Sequence, residues 1–292
     1  MESTVQHRLL ASNWVDPKPE APVKYPPILS LVQLGFQTLG TLFPGVGGKA
    51  AYRLFATPRL RARHRVSDPV LEKARIFEFM YAKQLLKGYE WGAGEQTILL
   101  VHGWESRGTA LRTFVPGLVD KGFRVIAFDG PAHGDSPGHR TNLPHFAGAV
   151  QAIMHQVGPV YGVIAHSFGG AATVYAMSSL NPDLSLKRLV QVATPSSMIQ
   201  VMNNAVETLR LPKRVAQRFR GILEQKIGNR SLEEIDTRHA IQRMQVEQVL
   251  LVHDREDQVV PFSAAFRIAE EADQIQLLET RGYGHYRLMK NP

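Results

Sequence analysis

One serine stands at the junction between a short apolar segment and a predicted helix, in the segment 163–170 (Val-Ile-Ala-His-Ser-Phe-Gly-Gly). Its neighbours two positions away, Ala165 and Gly169, are small, as a tight strand-to-helix turn requires. Such a turn exposes the hydroxyl at a helix N-terminus, where the helix dipole favours developing negative charge. The pattern therefore predicts that Ser167 is a nucleophile; an ordinary serine that caps a helix is the alternative.

A serine hydroxyl is a weak nucleophile unless a neighbouring base removes its proton. The chain has 11 histidines, and one of them, His285, lies just after the last predicted strand in the segment Gly-Tyr-Gly-His-Tyr. Its neighbours Gly282 and Gly284 give the backbone freedom to bring the imidazole to a partner. His285 is therefore the candidate base.

Acyl transfer at a serine also requires two N–H donors for the oxyanion of the tetrahedral intermediate. One candidate is the backbone N–H of Phe168, the residue after the predicted nucleophile. The other is the backbone N–H of Trp104, which follows His102 and Gly103 at the end of an earlier apolar segment. Gly103 permits a close backbone approach. The alternative is a glycine turn with Trp104 directed into the core.

The remaining sequence predicts a scaffold that brings these distant residues to one edge of a sheet. Six short apolar segments predict buried strands: 97–101, 124–128, 160–165, 189–193, 249–252 and 275–278. Helical patterns lie between them at 108–121, 143–157, 168–180 and 262–272. This alternation predicts a mostly parallel sheet with helices on both faces, and ligands bind beyond the carboxyl ends of such strands. Arg59–Val66 alternates arginine with other residues, which predicts an exposed edge strand.

One connection is much longer than the others. About fifty residues separate Ala193 from Gln248, whereas a crossover in a parallel sheet needs only a dozen or so. The excess predicts an inserted helical lid over 195–245, within a core formed by 57–194 and 246–292. Residues 1–56 are predicted to form an N-terminal extension, with an extended proline-rich lead to residue 27 and then helical structure.

The segment 128–136 (Phe-Asp-Gly-Pro-Ala-His-Gly-Asp-Ser) resembles a strand-end loop of the α/β-hydrolase family, in which Pro-Gly-His-Gly-x-Ser is common. With the turn at Ser167, it makes the chain similar to that family over roughly residues 85–290. The sequence departs from the usual pattern at Ala132 and Ala165, where glycine is more frequent. The resemblance implies the α/β-hydrolase fold and a structural role for Asp129, His133 and Asp135.

The same resemblance implies that the catalytic acid lies between the serine and the histidine, just before a Val-Pro pair. The segment 250–261 (Leu-Leu-Val-His-Asp-Arg-Glu-Asp-Gln-Val-Val-Pro) places Asp257 at that position, with Asp254 and Glu256 as alternatives. His253 is expected to be structural. The implied catalytic triad is Ser167, Asp257 and His285.

Composition narrows the chemistry further. With no cysteine, the chain has no disulfide, no thiolate zinc site and no cysteine nucleophile. It also lacks zinc-ligand spacings and phosphate-binding glycine motifs, so we expect neither a metal nor a cofactor. The net charge of +8 is partly local. We interpret its two basic clusters as solvated faces and expect no nucleic-acid partner. The clusters are Arg53, Arg59, Arg61, Arg63 and Arg65, and Arg210, Lys213, Arg214, Arg218 and Arg220.

The N-terminal extension contains an apolar segment without charge. No charged residue occurs between Lys24 and Lys49, and Ile28–Phe43 is mostly apolar but shorter than the roughly 20 residues of a spanning helix. This segment predicts a helical extension packed on the domain, with peripheral membrane contact through residues 28–56 as the alternative. The first residues lack the pattern of a signal peptide, so the expected location is cytoplasmic.

Together these patterns predict a serine hydrolase that cleaves a small-molecule acyl ester through an acyl-enzyme. Thioesterase, amidase or lipase chemistry would use the same triad and remains open. A non-catalytic membrane- or ligand-binding protein on the same fold is the alternative from a different class.

Overall fold

The computed structural model describes residues 7–9, 27–62, 64, 67–272 and 275–290. Contacts divide these residues into two compact units. The sheet unit contains the described residues within 58–196 and 237–290 together with the strand His7–Leu9, and the helical unit contains 27–57 and 197–236. The N-terminal helices thus belong to the same unit as the insertion, and residues 237–245 belong to the sheet unit. The action of the insertion as a lid stays a prediction.

Within the described residues, the sheet unit has nine strands in the spatial order β1-β9-β8-β7-β6-β4-β5-β3-β2. Pairing is parallel from β1 through to β5, and β3 pairs antiparallel with both β5 and β2. The strands are β1 (His7–Leu9), β2 (Arg75–Tyr81), β3 (Gln84–Trp91), β4 (Thr97–Val101), β5 (Arg124–Phe128), β6 (Val160–His166), β7 (Ser185–Val192), β8 (Gln245–Asp254) and β9 (Ile275–Thr280).

The six predicted strands are all present, and the mostly parallel sheet is confirmed. The sequence interpretation missed the β2–β3 hairpin and also β1, which lies in the lead that was predicted to be extended and poorly structured. The rest of that lead, up to residue 26, lies outside the described residues. The strand predicted at Arg59–Val66 is wrong, since 59–62 and 64 are irregular and 63, 65 and 66 are not described. Arg61 instead donates from Nε to the carbonyl oxygen of Gly134 at 2.6 Å and from Nη2 to that of Ser136.

Helices flank both faces of the sheet. The longest, α5, begins after Asn142, whose side chain accepts a hydrogen bond from the His145 N–H at 2.9 Å, and it ends before Gly158, where φ is +86°. The predicted helix 108–121 is a 3₁₀ segment followed by α4, and 168–180 is α6 followed by a π-helical turn. The helices of this unit are α3 (Pro69–Glu72), α4 (Val115–Asp120), α5 (Leu143–Val157), α6 (Phe168–Tyr175), α9 (Thr237–Ile241), α10 (Ser263–Ala269) and α11 (Gly284–Arg287).

Alternate residues of the central strands fill the core on the two faces of the sheet. Ile98 and Leu100 of β4 pack in one cluster with Val125 of β5 and Leu111. Leu99 and Val101, which point to the opposite face, are also fully buried. Each such side chain contributes about 1.5–3 kcal/mol by its removal from water. The central strands are therefore held rigidly enough to position residues at their ends.

The helical unit is built on a close contact between two helices. Its elements are α1 (Ile28–Gly35), which continues into a π-helical segment (Phe36–Gly40), α2 (Pro44–Phe55), α7 (Met198–Thr208) and α8 (Lys213–Lys226). A Cβ on Gly48 would lie only 2.6 Å from the Cβ of Arg218, and one on Gly47 would lie 3.0 Å from Val215 Cγ2. The two glycines thus allow α2 to pack directly on α8. Of the helices in the described residues, none has the length and apolarity to cross a bilayer.

Candidate active site

Four parallel strands deliver the predicted site residues to one edge of the sheet. Strands β4, β6, β8 and β9 run in the same direction, and Trp104, Ser167, Asp257 and His285 follow their respective carboxyl ends. β4 lies between β5 and β6, so the chain order reverses there. In open α/β sheets, such a switch point is where ligands bind.

Ser167 occupies a strained turn between β6 and α6. Its φ is +52°, in the left-handed region, which costs a non-glycine residue roughly 1–3 kcal/mol. The Ser167 N–H donates to the carbonyl oxygen of Val192 at 2.8 Å, which holds the turn against β7. A Cβ on Gly169 would lie 2.3 Å from the carbonyl oxygen of His102, so the glycine is sterically required. The turn leaves Ser167 only partly buried.

The structure brings Ser167, His285 and Asp257 into one hydrogen-bonded chain. Ser167 Oγ lies 2.9 Å from His285 Nε2, and His285 Nδ1 lies 2.7 Å from Asp257 Oδ2. Nδ1–H donates to the carboxylate, which leaves Nε2 to accept the serine proton. Both His285 and Asp257 are buried. The arrangement can therefore activate the serine hydroxyl.

The carboxyl of Asp257 is kept ionised by its surroundings. Burial opposes ionisation, but hydrogen bonds from His253 and His285 outweigh it and hold the pKa of Asp257 well below its usual range. Asp257 Oδ1 also accepts the N–H groups of Val259 and Val260, each at 2.8 Å. The negative charge can thus orient and stabilise an imidazolium at His285.

Asp254, one alternative for the acid, has other partners. Its Oδ1 accepts the N–H of Glu256 at 3.0 Å, and its Oδ2 accepts the Tyr283 N–H at 2.9 Å and the Thr280 hydroxyl at 2.8 Å. Asp254 therefore connects the loop that carries Asp257 to the loop that carries His285.

Two histidines beside the triad were not assigned a part in the site from the sequence. His166 donates from Nε2 to the backbone carbonyl oxygen of His285 at 3.0 Å. His253 donates from Nε2 to the carbonyl oxygen of Val260 at 2.8 Å, and its Nε2 lies 3.4 Å from Asp257 Oδ2. In the sequence, the one indication of a part in the site is that His166 precedes Ser167 and His253 precedes Asp254. They fix the backbone that carries the base and the acid.

The two predicted oxyanion donors flank Ser167. Phe168 is the first residue of α6, so its N–H has no acceptor within the helix. A Cβ on Gly103 would lie 3.2 Å from Ser167 Cβ, which places the 102–104 backbone beside the turn. The indole of Trp104 packs edge-on against the Phe168 ring, with the ring centroids 5.2 Å apart. The arrangement is compatible with an oxyanion held between the two amides.

His133 supports the same loop. Its Nε2 accepts the Glu105 N–H at 3.0 Å while its Nδ1 donates to the carbonyl oxygen of Pro131 at 3.0 Å. Burial, and then the neighbouring His102, lower the pKa of His133 to about 3. A neutral imidazole can accept the Glu105 N–H, and an imidazolium cannot. His133 thereby orients the peptide that follows Trp104.

The rest of the loop after β5 is organised by Asp129. Its Oδ1 accepts the Gly108 N–H at 2.6 Å, and its Oδ2 accepts the Asp135 N–H and the Tyr89 hydroxyl, both at 2.8 Å. His64, Asp129 and Asp135 also place potential metal-ligand atoms within 4.8 Å of one another. The hydrogen bonds of Asp129 account for this cluster, so we propose no metal there.

Comparisons with known proteins identify the family. The model of the alpha/beta hydrolase family matches residues 98–292, and the chain belongs to that family. A non-heme haloperoxidase from Rhodococcus erythropolis is 30% identical over 150 residues, which are 50% of this chain and 52% of that protein. The chain thus spans about half of the length of that relative.

Two further relatives cover more of their own lengths. A bifunctional esterase/perhydrolase from Acinetobacter calcoaceticus is 24% identical over 250 residues, with 67% of this chain and 87% of that protein covered. The structure of an esterase from Pyrococcus furiosus has a TM-score of 0.60 and 18% identity, and the match covers 80% of this chain and 92% of that one. The last likeness shows the fold alone.

Proposed function

We propose that the protein hydrolyses carboxylic esters through an acyl-enzyme formed on Ser167. The observation that carries this proposal is the hydrogen-bonded chain from Ser167 Oγ through the His285 imidazole to Asp257, with separations of 2.9 Å and 2.7 Å. A nucleophile, a base and an orienting acid in that order are what acyl transfer by a serine requires.

In the first half of the reaction, His285 takes the Ser167 proton as Oγ bonds to the substrate carbonyl carbon. The carbonyl oxygen becomes an oxyanion between the backbone N–H groups of Phe168 and Trp104. The ester C–O bond then breaks, and the alcohol leaves with the proton from His285. In the second half, water gives a proton to His285 and attacks the acyl carbon; the acid leaves and Ser167 regains its proton. Asp257 stays ionised throughout.

An ester substrate is supported by the similarity of this chain to the bifunctional esterase/perhydrolase from Acinetobacter calcoaceticus. Thioesters and amides differ only in the leaving atom, so the triad itself does not distinguish them. A lipase would differ in the size of the acyl group.

Perhydrolysis is a second candidate. It is favoured by the similarity of this chain to a non-heme haloperoxidase and to a bifunctional esterase/perhydrolase. Hydrogen peroxide would replace water in the second half of the reaction. It would give a proton to His285 and attack the acyl carbon, and the product that leaves Ser167 would be a peracid. Formation of peracid from an ester and hydrogen peroxide, measured against acid formation, separates the two activities.

The proposal is tested by Ser167→Ala, with Ser263→Ala on the exposed start of α10 as the matched control. We expect Ser167→Ala to lower kcat for a p-nitrophenyl ester by about 10⁴-fold or more. We also expect a fluorophosphonate probe to label the parent and the Ser263→Ala variant, but not Ser167→Ala. Activity retained in Ser167→Ala would contradict the assignment of the nucleophile. A parent chain that neither labels nor turns over esters would favour a non-catalytic binding protein.

A further inference from the structure

The N-terminal helical segment presents its apolar side chains outward. Seven large apolar residues between 28 and 46 are more than half exposed, among them Leu31 at 68%, Leu42 at 71% and Phe43 at 60%. We call this set the apolar face: Ile28, Leu31, Leu34, Leu39, Leu42, Phe43 and Val46. Large apolar side chains exposed this densely within one short segment indicate an interaction site.

The opposite side of the same segment is already packed within the helical unit, and part of it is polar. Gln33 Nε2 donates to the carbonyl oxygen of Thr208 at 2.8 Å, and Gln37 Nε2 donates to that of Arg210. Phe36 and Gly40 are buried on that side. A helix that only packed on its neighbours would direct its leucines inward and its glutamines to water. Gln37 stays exposed despite its hydrogen bond, but the leucines that face outward favour a second apolar environment outside the chain.

The polar groups of the outer side are compatible with that environment. Within Pro27–Gly48 the sequence has no charged residue. The hydroxyl of Thr38 donates to the carbonyl oxygen of Leu34, and that of Thr41 donates to the carbonyl oxygen of Gln37, each at 2.8 Å. Because both hydroxyls are satisfied within the helix, their transfer out of water costs less.

Basic side chains are exposed on α2, which carries part of the apolar face, and on α8, whose Val215 packs against Gly40 and Gly47. Val46, Lys49 and Arg53 follow one another at helical spacing on α2, and the last two are exposed. Lys213 and Arg214 are exposed at the start of α8. Over 27–57 and 197–236 there are nine Lys and Arg against five Asp and Glu. Two of those acids, Glu224 and Glu233, are paired with Arg220. The unit therefore carries a surplus of positive charge.

We propose that the helical unit docks on the surface of an anionic phospholipid bilayer through the apolar face. The segment lies in the plane of the interface, because its other side is held by α8 and the 208–210 backbone. The leucines and Phe43 enter the boundary between the headgroups and the acyl chains, while Lys49, Arg53, Lys213 and Arg214 contact lipid phosphates. The inference does not depend on the proposed esterase activity.

The test is flotation of the full chain with two kinds of vesicle. One kind contains phosphatidylcholine alone, and the other, the mixed vesicles, contains equal parts of phosphatidylcholine and phosphatidylglycerol. We expect binding to the mixed vesicles. Combined replacement of Leu31, Leu42 and Phe43 by serine is expected to lower the partition coefficient by about tenfold or more. Because these side chains are exposed, we expect the triple variant to fold as the parent does, and thermal unfolding followed by circular dichroism checks this. The matched control is Ile76→Ser with Met80→Ser, two exposed apolar residues of β2, which is expected to bind as the parent does.

Lys49→Glu combined with Arg53→Glu is expected to weaken binding to the mixed vesicles and leave binding to phosphatidylcholine alone unchanged. A parent chain that does not float, or a triple variant that binds as the parent does, would overturn the proposal. The proposal would also be overturned if the parent does not bind vesicles but forms a dimer in sedimentation velocity, and the triple variant is a monomer. That result would make a second copy of the chain the partner of the apolar face.

Discussion

The imidazole of His166 supports the backbone of the candidate base: its Nε2 donates a hydrogen bond to the carbonyl oxygen of His285, and the two atoms are 3.0 Å apart. Burial, and then the nearby His285 ring, lower the pKa of His166 to about 3. The residue before the nucleophile thus remains neutral and links the two loops that must meet. Its ring also lies against the His285 imidazole, with the ring centroids 4.8 Å apart, and its hydrogen bond is to the backbone of the base, so we assign it a positioning role.

Replacement of His166 by leucine removes this support. We expect kcat for a p-nitrophenyl ester to fall by about 10- to 100-fold with little change in KM, because small displacements of a base reduce the rate more than the binding. His166→Gln retains an N–H donor and is expected to recover part of kcat. His155→Leu, at an exposed position of α5, is the control. Equal rates in the leucine and parent proteins would exclude the positioning role.

Asp257→Asn tests the acid. The carboxylate holds His285 through Nδ1–H, and an amide in its place permits the wrong tautomer, so we expect kcat to fall by about 10³- to 10⁴-fold with the fold retained. Steady-state kinetics and thermal unfolding measure the two effects.

Asp254→Asn is the matched comparison. The amide replaces one of the two acceptor oxygens by an NH2 group, so either the Glu256 N–H or the Tyr283 N–H and the Thr280 hydroxyl lose their acceptor, and we expect a loss of about 1–3 kcal/mol in the free energy of unfolding. A larger fall in kcat for Asp254→Asn than for Asp257→Asn would reverse the assignment of the acid.

Stability is expected to fall in mild acid because of buried histidines. His133 and His166 each have a folded-state pKa of about 3, against about 6.5 in the unfolded chain. Between these values the unfolded state binds protons that the folded state excludes. The contribution of these two histidines to the free energy of unfolding therefore has its full value above about pH 6.5. It declines below that pH, by up to about 1.4 kcal/mol per pH unit for each histidine.

Urea unfolding measured at intervals from about pH 7.5 to about pH 5 will follow this decline. His133→Gln is expected to have a shallower dependence than the parent, because one of the proton-excluding groups is gone. His155→Gln, which removes an exposed histidine, should leave the dependence as it is. A parent whose stability does not change over this interval would contradict the buried neutral state of the two histidines.

Two Gly→Ala variants distinguish a glycine that is required because a Cβ would clash from a glycine that only lowers helix propensity. A Cβ at Gly169 would meet the backbone of 101–102, which cannot move away, so we expect a loss of about 3 kcal/mol or more in stability together with loss of activity. Gly221, in the exposed middle of α8, has open space around it, and Gly221→Ala is expected to add about 0.5–1 kcal/mol. Denaturant unfolding gives both values. Tolerance of alanine at 169 would show that the turn is looser than described.

The hairpin of β2 and β3 shows why part of the fold escaped prediction. Ile76 and Met80 of β2 are exposed while Phe79, on the other face, is buried, so both faces carry apolar residues and the period-2 pattern is obscured. The turn residues are Ala82 and Lys83, with φ of +47° and +64°. Such a turn usually contains Gly, Asn or Asp, and without them the sequence has no turn signal.

The sequence alone determined the order of the six strands from β4 to β9 and the strand-end position of each candidate residue, because these depend on local periodicity and on small residues such as Gly169. It could not decide which carboxylate faces His285, that His166 and His253 fix the neighbouring backbone, or that seven large apolar side chains of the N-terminal segment face outward. Those outcomes depend on contacts between residues far apart in the chain, as the 118 positions from Ser167 to His285 illustrate. Only the pairing of parallel strands, which brings their carboxyl ends to one edge, converts such separations into hydrogen-bond distances.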